Sequence, residues 1–143
     1  MAATLAAGAI PEPIVTTNGP VTGVRGRDSK VMVYKGLPYA APPIAERRWR
    51  APEPSATWTK VRKADQFSKA CVQNIVKEHK PWTYEFMAHE ETSEDCLYLN
   101  VWTAARNTKK KQPVLVYIHG GAFREGSGAV PLYDGEGLAK KNV

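Results

Sequence analysis

The sequence predicts an α/β fold, and three observations carry that prediction. Short β-rich segments cut by turn residues fill Ile14 to Ala40, as in an antiparallel meander. Val114 to Ile118 is apolar at every position, the pattern of a strand buried on both faces of a sheet. A helix is expected over Gly135 to Lys141. A buried strand followed by a helix is half of a β-α-β unit, so we expect the front part of a larger domain. The alternative, a small β-rich domain that ends naturally, leaves Val114 to Ile118 poorly covered.

Length and charge narrow the possible functions. A complete domain of 143 residues would bury roughly 70% of its unfolded surface, enough for a core. The net charge is +6, but the basic residues are dispersed apart from Arg47 to Arg50 and Lys109 to Lys111, which argues against nucleic-acid binding. No stretch is long and apolar enough for a membrane span. The opening segment lacks a basic region, so we treat residues 1–13 as an N-terminal tail or signal remnant and 14–143 as the domain portion.

Turn residues divide the first part of the meander. Asn18 to Pro20 and Arg27 to Ser29 are turn signals, and Val21 to Val24 between them is a predicted strand. Val31 to Tyr34 is the next predicted strand. Pro38 to Pro54 is proline-rich and irregular, and we expect packed coil that holds Tyr39 and Trp49.

The second half carries a strand and a capped helix. Leu97 to Thr103 is expected to alternate, with Leu97, Leu99 and Val101 on one face and Tyr98, Asn100 and Trp102 on the other. Asp134 can cap the predicted helix, whose inward side would be Leu138 and Ala139. Asn142 suits the C-terminal end of that helix.

The chain has two cysteines, Cys71 and Cys96. Their number and spacing exclude a structural zinc site made by cysteines alone. Two alternatives remain at this point: a pair of buried free thiols, or one disulfide. In the chain-entropy model such a bridge contributes on the order of 3.5 kcal/mol, and it would imply an oxidising compartment.

The segment His119 to Phe123, HGGAF, follows the predicted buried strand directly. Ligands bind α/β sheets at the carboxyl ends of the strands, and glycines let a substrate approach the backbone closely. Strand plus HGG(G/A) is a pattern of lipases and esterases, whose loop N–H groups stabilise the oxyanion of acyl transfer. The alternative is a glycine-rich turn without a catalytic part, and five residues alone do not distinguish the two.

Two further stretches resemble the type-B carboxylesterases, a family that includes bacterial and animal carboxylesterases and the cholinesterases. They are SEDCLYLNVW, Ser93 to Trp102, and GLPYAAPPIAERRWRAPEP, Gly36 to Pro54. The resemblance covers roughly residues 14 to 143. It implies the N-terminal part of an α/β-hydrolase fold, in which an antiparallel meander leads into a mostly parallel central sheet.

The resemblance also implies roles for individual residues. Cys71 and Cys96 match the family's first disulfide, and Arg48 and Glu94 match a buried ion pair. The oxyanion donors would be the backbone N–H groups of Gly121 and Ala122, with Gly120 making the turn; the commoner residue at Ala122 is glycine. The aromatic residues expected to line the substrate pocket, or else simply to pack, are Phe123 and Trp82.

The nucleophile, the acid and the base of the family are not in this chain. The serine belongs to a G-x-S-x-G elbow, a motif that the 143 residues lack. Ser127 is predicted to be a loop residue, and His119 to support the glycine loop rather than act as the base. His79 and His89 are expected to be exposed.

The resemblance implies hydrolysis of small carboxyl esters through a serine acyl-enzyme, with no metal or organic cofactor. This chain would supply the oxyanion loop, would need the remainder of the same hydrolase domain, and would be inactive alone. The disulfide would fit a secreted or periplasmic protein. The alternative is a non-catalytic binding or adhesion module of the same fold, against which the intact HGGA loop argues mildly.

Overall fold

The computed structural model describes residues 10–76 and 80–143. Its strands are β1 (Ile14–Val15), β2 (Pro20–Thr22), β3 (Val24–Arg25), β4 (Met32–Pro38), β5 (Arg62–Lys63) and β6 (Tyr98–Thr103). The short helix α1 is Glu136–Ala139, and single 3-10 turns occupy Ala45–Arg47, Tyr84–Phe86 and Pro131–Tyr133. Across these two ranges we find no helix of the length and apolar character that crossing a bilayer requires.

The strands form two small sheets, with the orders β1-β2-β5 and β3-β4-β6. Strand β1 is antiparallel to β2, and β3 is antiparallel to β4, as the predicted meander requires. Strand β4 is also antiparallel to β6, which lies outside the predicted meander. The parallel pairing of β2 with β5 is an addition to the prediction. The single strand predicted over Val21 to Val24 is wrong, because the chain leaves one sheet for the other at Gly23. A Cβ at Gly23 would lie 2.6 Å from the carbonyl oxygen of Val33, so this crossing requires glycine.

The core consists of two clusters on the two faces of β4. Val21, Met32, Tyr34 and Ala64 form one cluster. The second is formed by Val31, Val33 and Ala139. Successive side chains of a strand point to opposite faces, so the apolar run into β4 serves both clusters. Ile10 also packs against the first cluster, while the boundary between residues 13 and 14 stays a prediction.

The predicted turns are confirmed by backbone hydrogen bonds. The N–H groups of Thr16 and Gly19 each donate to the other's carbonyl oxygen, at 3.1 and 3.3 Å. In the second turn, the Gly26 N–H donates to the Val31 carbonyl at 2.8 Å. Both turns contain the residues that the sequence marks as turn formers.

Helix α1 is shorter than predicted, and the prediction is wrong for one of the two residues expected to face inward. Asp134 accepts the Glu136 N–H at 2.8 Å, and Asn142 takes a left-handed φ of 64° at the end. Ala139 is buried as expected, but Leu138 is 46% exposed. Glu136 takes the second inward position, because its carboxylate accepts the N–H groups of Arg27 and Asp28 at 2.9 and 2.7 Å.

The predicted buried strand over Val114 to Ile118 is wrong for this chain. The segment is outside the assigned strands, and its five side chains are between 59% and 85% exposed. A strand needs neighbours to pair with and layers to cover it, and residues 10–76 and 80–143 supply neither.

The coil over Pro38 to Pro54 packs only in part. Ala40 and Ala41 are buried, and the Ala41 N–H donates to the Glu53 carbonyl at 2.9 Å. The expected packing of the two aromatic residues is wrong, because Tyr39 is more than half exposed and Trp49 is fully exposed.

Candidate active site

The loop after His119 has an unusual backbone conformation. Gly121, Ala122 and Phe123 have consecutive positive φ angles of 112°, 53° and 59°. For residues other than glycine the left-handed region costs roughly 1–2 kcal/mol each. Such outliers cluster at active sites and ligand clamps, so the loop is a candidate site on geometry as well as on sequence.

A tight turn at Gly121 explains the need for glycine there. The Gly121 carbonyl accepts the N–H groups of Arg124 and Glu125, at 3.0 and 3.2 Å. A Cβ at Gly121 would clash with the carbonyl oxygen of Glu125. Gly120 has open space around its Cβ position, so its predicted role as the turn-forming glycine belongs more clearly to Gly121 in this structure.

The N–H groups of Gly121 and Ala122 donate no hydrogen bond to any residue that the structure describes. Both residues are exposed. Within residues 10–76 and 80–143, the backbone N–H groups of Val114 to Ile118 also donate no hydrogen bond. The loop differs from that segment in the left-handed φ angles of Gly121, Ala122 and Phe123.

His119 and Ser127 lie beside the loop in supporting positions. The Nδ1 atom of His119 lies 2.7 Å from the Gly120 carbonyl oxygen. A Cβ at Gly126 would lie 2.5 Å from His119 Nδ1. Ser127 is buried, and its Oγ accepts the Ala129 N–H at 3.0 Å. Ser127 is therefore a loop residue, as predicted, with its hydroxyl engaged in a local turn.

Cys71 and Cys96 form a disulfide, with an S–S distance of 2.05 Å and a Cα–Cα distance of 5.1 Å. The pairing is the one that the resemblance implies, and it sets aside the alternative of free thiols. The bridge joins residues 25 positions apart and lies directly before β6. The loop that it closes carries Trp82 and His89.

Sequence reasoning missed Gln73, which lies two residues after Cys71. The Gln73 side chain accepts the Gly126 N–H at 2.7 Å and donates to the Gly126 carbonyl at 2.8 Å. It therefore connects the disulfide-closed loop to the glycine loop. A glutamine two residues after a cysteine is too common in sequences to predict this contact.

Arg48 and Glu94 form the predicted ion pair, but it is not buried. Arg48 Nη2 lies 2.6 Å from Glu94 Oε2, and the two side chains are 56% and 42% exposed. The hydrogen bond from Arg48 holds the pKa of Glu94 below its ordinary value of 4.5. The expected burial is wrong because the described residues place no layer over this pair.

The two aromatic candidates do not meet in a pocket. Phe123 is fully exposed, and Trp82 is 51% exposed with its ring 5.6 Å from that of Phe86. Two cavities of about 450 and 410 Å³ lie elsewhere, around Arg62 and around Trp102. The assignment of Phe123 and Trp82 to the substrate pocket stays a prediction.

The prediction that His79 and His89 are exposed can be compared with the structure only for His89. His89 is half-buried rather than exposed, because its ring stacks on Tyr84 at 3.7 Å. His79 lies outside the described residues. Within residues 10–76 and 80–143, no group of three or more His, Cys, Asp or Glu side chains is placed to hold a metal ion.

Comparison with known proteins finds relatives that are named as esterases. The chain is 41% identical to fumonisin B1 esterase of Sphingopyxis macrogoltabida over 128 residues, 90% of this chain and 22% of that protein. It is 42% identical to para-nitrobenzyl esterase of Bacillus subtilis over 130 residues, 88% of this chain and 24% of the relative. Acetylcholinesterase of Danio rerio is 39% identical over 135 residues, 90% and 21% of the two chains. The chain thus spans about a fifth to a quarter of the length of these relatives.

Solved structures agree with the sequence matches. A thermophilic PNB esterase superimposes with a TM-score of 0.74 at 38% identity, covering 88% of this chain and 25% of that one. A second PNB esterase structure gives a TM-score of 0.76 at 37% identity, with 91% and 26% covered. The predicted fold class is confirmed as part of an α/β-hydrolase fold. The family model described as the carboxylesterase family matches residues 11–143, and the chain therefore belongs to the carboxylesterase family.

Proposed function

We propose that this chain is the portion of a serine carboxylesterase that supplies the oxyanion loop. One observation carries the proposal: Gly121, Ala122 and Phe123 have left-handed φ angles in succession, directly after Gly120. In that conformation the N–H groups of Gly121 and Ala122 are the donors for the oxyanion. Each such donor supplies about 3–4 kcal/mol to the transition state of acyl transfer.

The reaction needs groups that follow this chain in the full-length protein. A serine hydroxyl attacks the ester carbonyl while a histidine takes its proton. The oxyanion then collapses, the alcohol leaves with a proton from the histidine, and water hydrolyses the acyl-enzyme. Serine, acid and base come from the remainder of the domain, and the 143 residues alone are inactive.

The substrates are small carboxyl esters, in keeping with the names of the relatives. Phe123 lies beside the donors in sequence and Trp82 lies in the disulfide-closed loop, so both are proposed to line the pocket once the remaining layers are present. The reaction needs no metal or organic cofactor, and nucleic acid is not a partner. The Cys71–Cys96 disulfide favours an oxidising compartment, so we place the protein outside the cytoplasm, secreted or periplasmic.

Steady-state hydrolysis of p-nitrophenyl acetate and butyrate by the full-length protein tests the proposal. We expect turnover that disappears when the serine of the G-x-S-x-G elbow downstream of Val143 is changed to alanine. A glycine or alanine at that position in the natural sequence, together with an absence of turnover, would favour a non-catalytic binding module instead.

A further inference from the structure

The side-chain amide of Gln73 holds both peptide groups of one loop residue. Its Oε1 accepts the Gly126 N–H at 2.7 Å, and its Nε2 donates to the Gly126 carbonyl at 2.8 Å. A primary amide that bonds both the N–H and the C=O of one residue makes the same two hydrogen bonds as a residue on a neighbouring β-strand. Gly126 is therefore held in position and orientation at once, from a segment 53 residues away in sequence.

Gly126 in turn supports the residues at the start of the donor loop. Its φ of 118° is open only to glycine, and a Cβ there would lie 2.5 Å from His119 Nδ1 and 2.9 Å from the Gly120 carbonyl oxygen. His119 Nδ1 itself lies 2.7 Å from that carbonyl oxygen. Gly126 therefore packs closely against His119 and Gly120, the two residues that precede Gly121, and a shift of Gly126 toward them would disturb their positions.

Gln73 is itself anchored to the disulfide. Its Nε2 also lies 3.0 Å from the carbonyl oxygen of Cys71. Cys71 is bonded to Cys96, whose carbonyl accepts the Tyr98 N–H at 2.9 Å where β6 begins. The amide is half-buried. The contacts form a continuous path from β6 through the disulfide and Gln73 to the glycine loop.

We propose that Gln73 is a positioning residue for ester hydrolysis, acting through Gly126 and His119 on the backbone donors of Gly121 and Ala122. This inference rests on the proposed function. Gln73 does not touch the donors, so it influences the reaction only through where they lie. Donors of this kind act mainly on the oxyanion, which exists in the transition state and not in the bound ester. A loss of Gln73 should therefore lower kcat more than it raises KM.

The test uses the full-length enzyme and p-nitrophenyl butyrate. We expect Gln73→Ala to lower kcat about 10- to 100-fold, the size expected when a reacting geometry is displaced by about 1 Å. Gln73→Glu keeps an acceptor for the Gly126 N–H and loses the donor, so it should recover part of the loss. Asn74→Ala is the matched control, because Asn74 is exposed and bonds to no described residue through its side chain. It should leave kcat unchanged.

A second measurement separates positioning from a general loss of structure. Reduction of the disulfide should lower kcat of the wild type, and should lower that of Gln73→Ala by a clearly smaller factor, because the path is already broken. Equal effects of reduction in the two proteins, or an unchanged kcat in Gln73→Ala, would overturn the role of Gln73 while ester hydrolysis by the wild type stands. A wild type without hydrolysis would instead overturn the proposed function and this inference with it.

Discussion

Gly121 is the residue whose identity is most tightly determined by the structure of the loop. Its left-handed φ and the turn closed by Arg124 and Glu125 leave no room for a side chain. The sequence predicted a catalytic glycine loop here, and also predicted that Gly120 would make the turn. A sequence pattern does not distinguish two adjacent glycines; the structure shows that Gly121 tolerates no side chain, while the role of Gly120 in the turn stays a prediction.

Gly121→Ala should lower kcat of the full-length enzyme about 100-fold or more, since the clash with Glu125 displaces the donor N–H groups. Steady-state kinetics on p-nitrophenyl esters measures the effect. Gly137→Ala is the matched control, because a Cβ at Gly137 meets nothing within 4 Å. Equal activity of the two variants would contradict the placement of the donor site at Gly121.

The Arg48–Glu94 pair should make stability depend on pH in the acid range. Hydrogen bonding from Arg48 lowers the folded-state pKa of Glu94. The unfolded state therefore binds more protons as pH falls below about 4.5, and the stabilisation by the pair is lost as pH passes through the lowered pKa. Unfolding of wild type and Glu94→Gln should differ at pH 7 and converge at low pH. A difference between them that grows on acidification would contradict this sign.

At the scale of elements, the predictions that held are those that depend on local chemistry. The turns at Asn18 to Pro20 and Arg27 to Ser29, and the strand ending at Thr103, follow from turn residues and alternation. The predictions that failed depend on distant partners. Leu138 is exposed because Glu136 reaches the N–H groups of Arg27 and Asp28, which lie more than 100 residues earlier. Glutamate in a first helical turn gives no sign of such a contact.

The disulfide-closed loop should be the element most sensitive to a single chemical change. Replacing both cysteines by serine should lower the free energy of unfolding by about 3.5 kcal/mol, as the chain-entropy model gives for a loop of this length. Denaturant unfolding of the full-length protein measures it, with the reduced wild type as the control. Equal stability of the oxidised wild type and the double variant would contradict a structural bridge.

At the scale of the whole molecule, the proposed oxyanion loop lies in a chain whose 143 residues contain no G-x-S-x-G elbow. The N–H groups of Gly121 and Ala122, which we propose as oxyanion donors, follow Val114 to Ile118, an apolar segment that is exposed in this structure. The sequence pattern marked that segment as a buried strand, and the pattern is right for a sheet that has further strands on either side. Under the proposed function, the remaining layers of an α/β-hydrolase domain would cover this apolar face, and a later segment would carry the serine elbow.

Labelling with a fluorophosphonate probe, which reacts with the activated serine of such enzymes, tests the central claim most directly. We expect the full-length protein to be labelled at a single serine beyond Val143. The 143 residues alone, with Ser127 buried in its loop turn, should not be labelled. Labelling of the isolated chain, or a full-length protein that neither reacts with the probe nor hydrolyses esters, would contradict this claim.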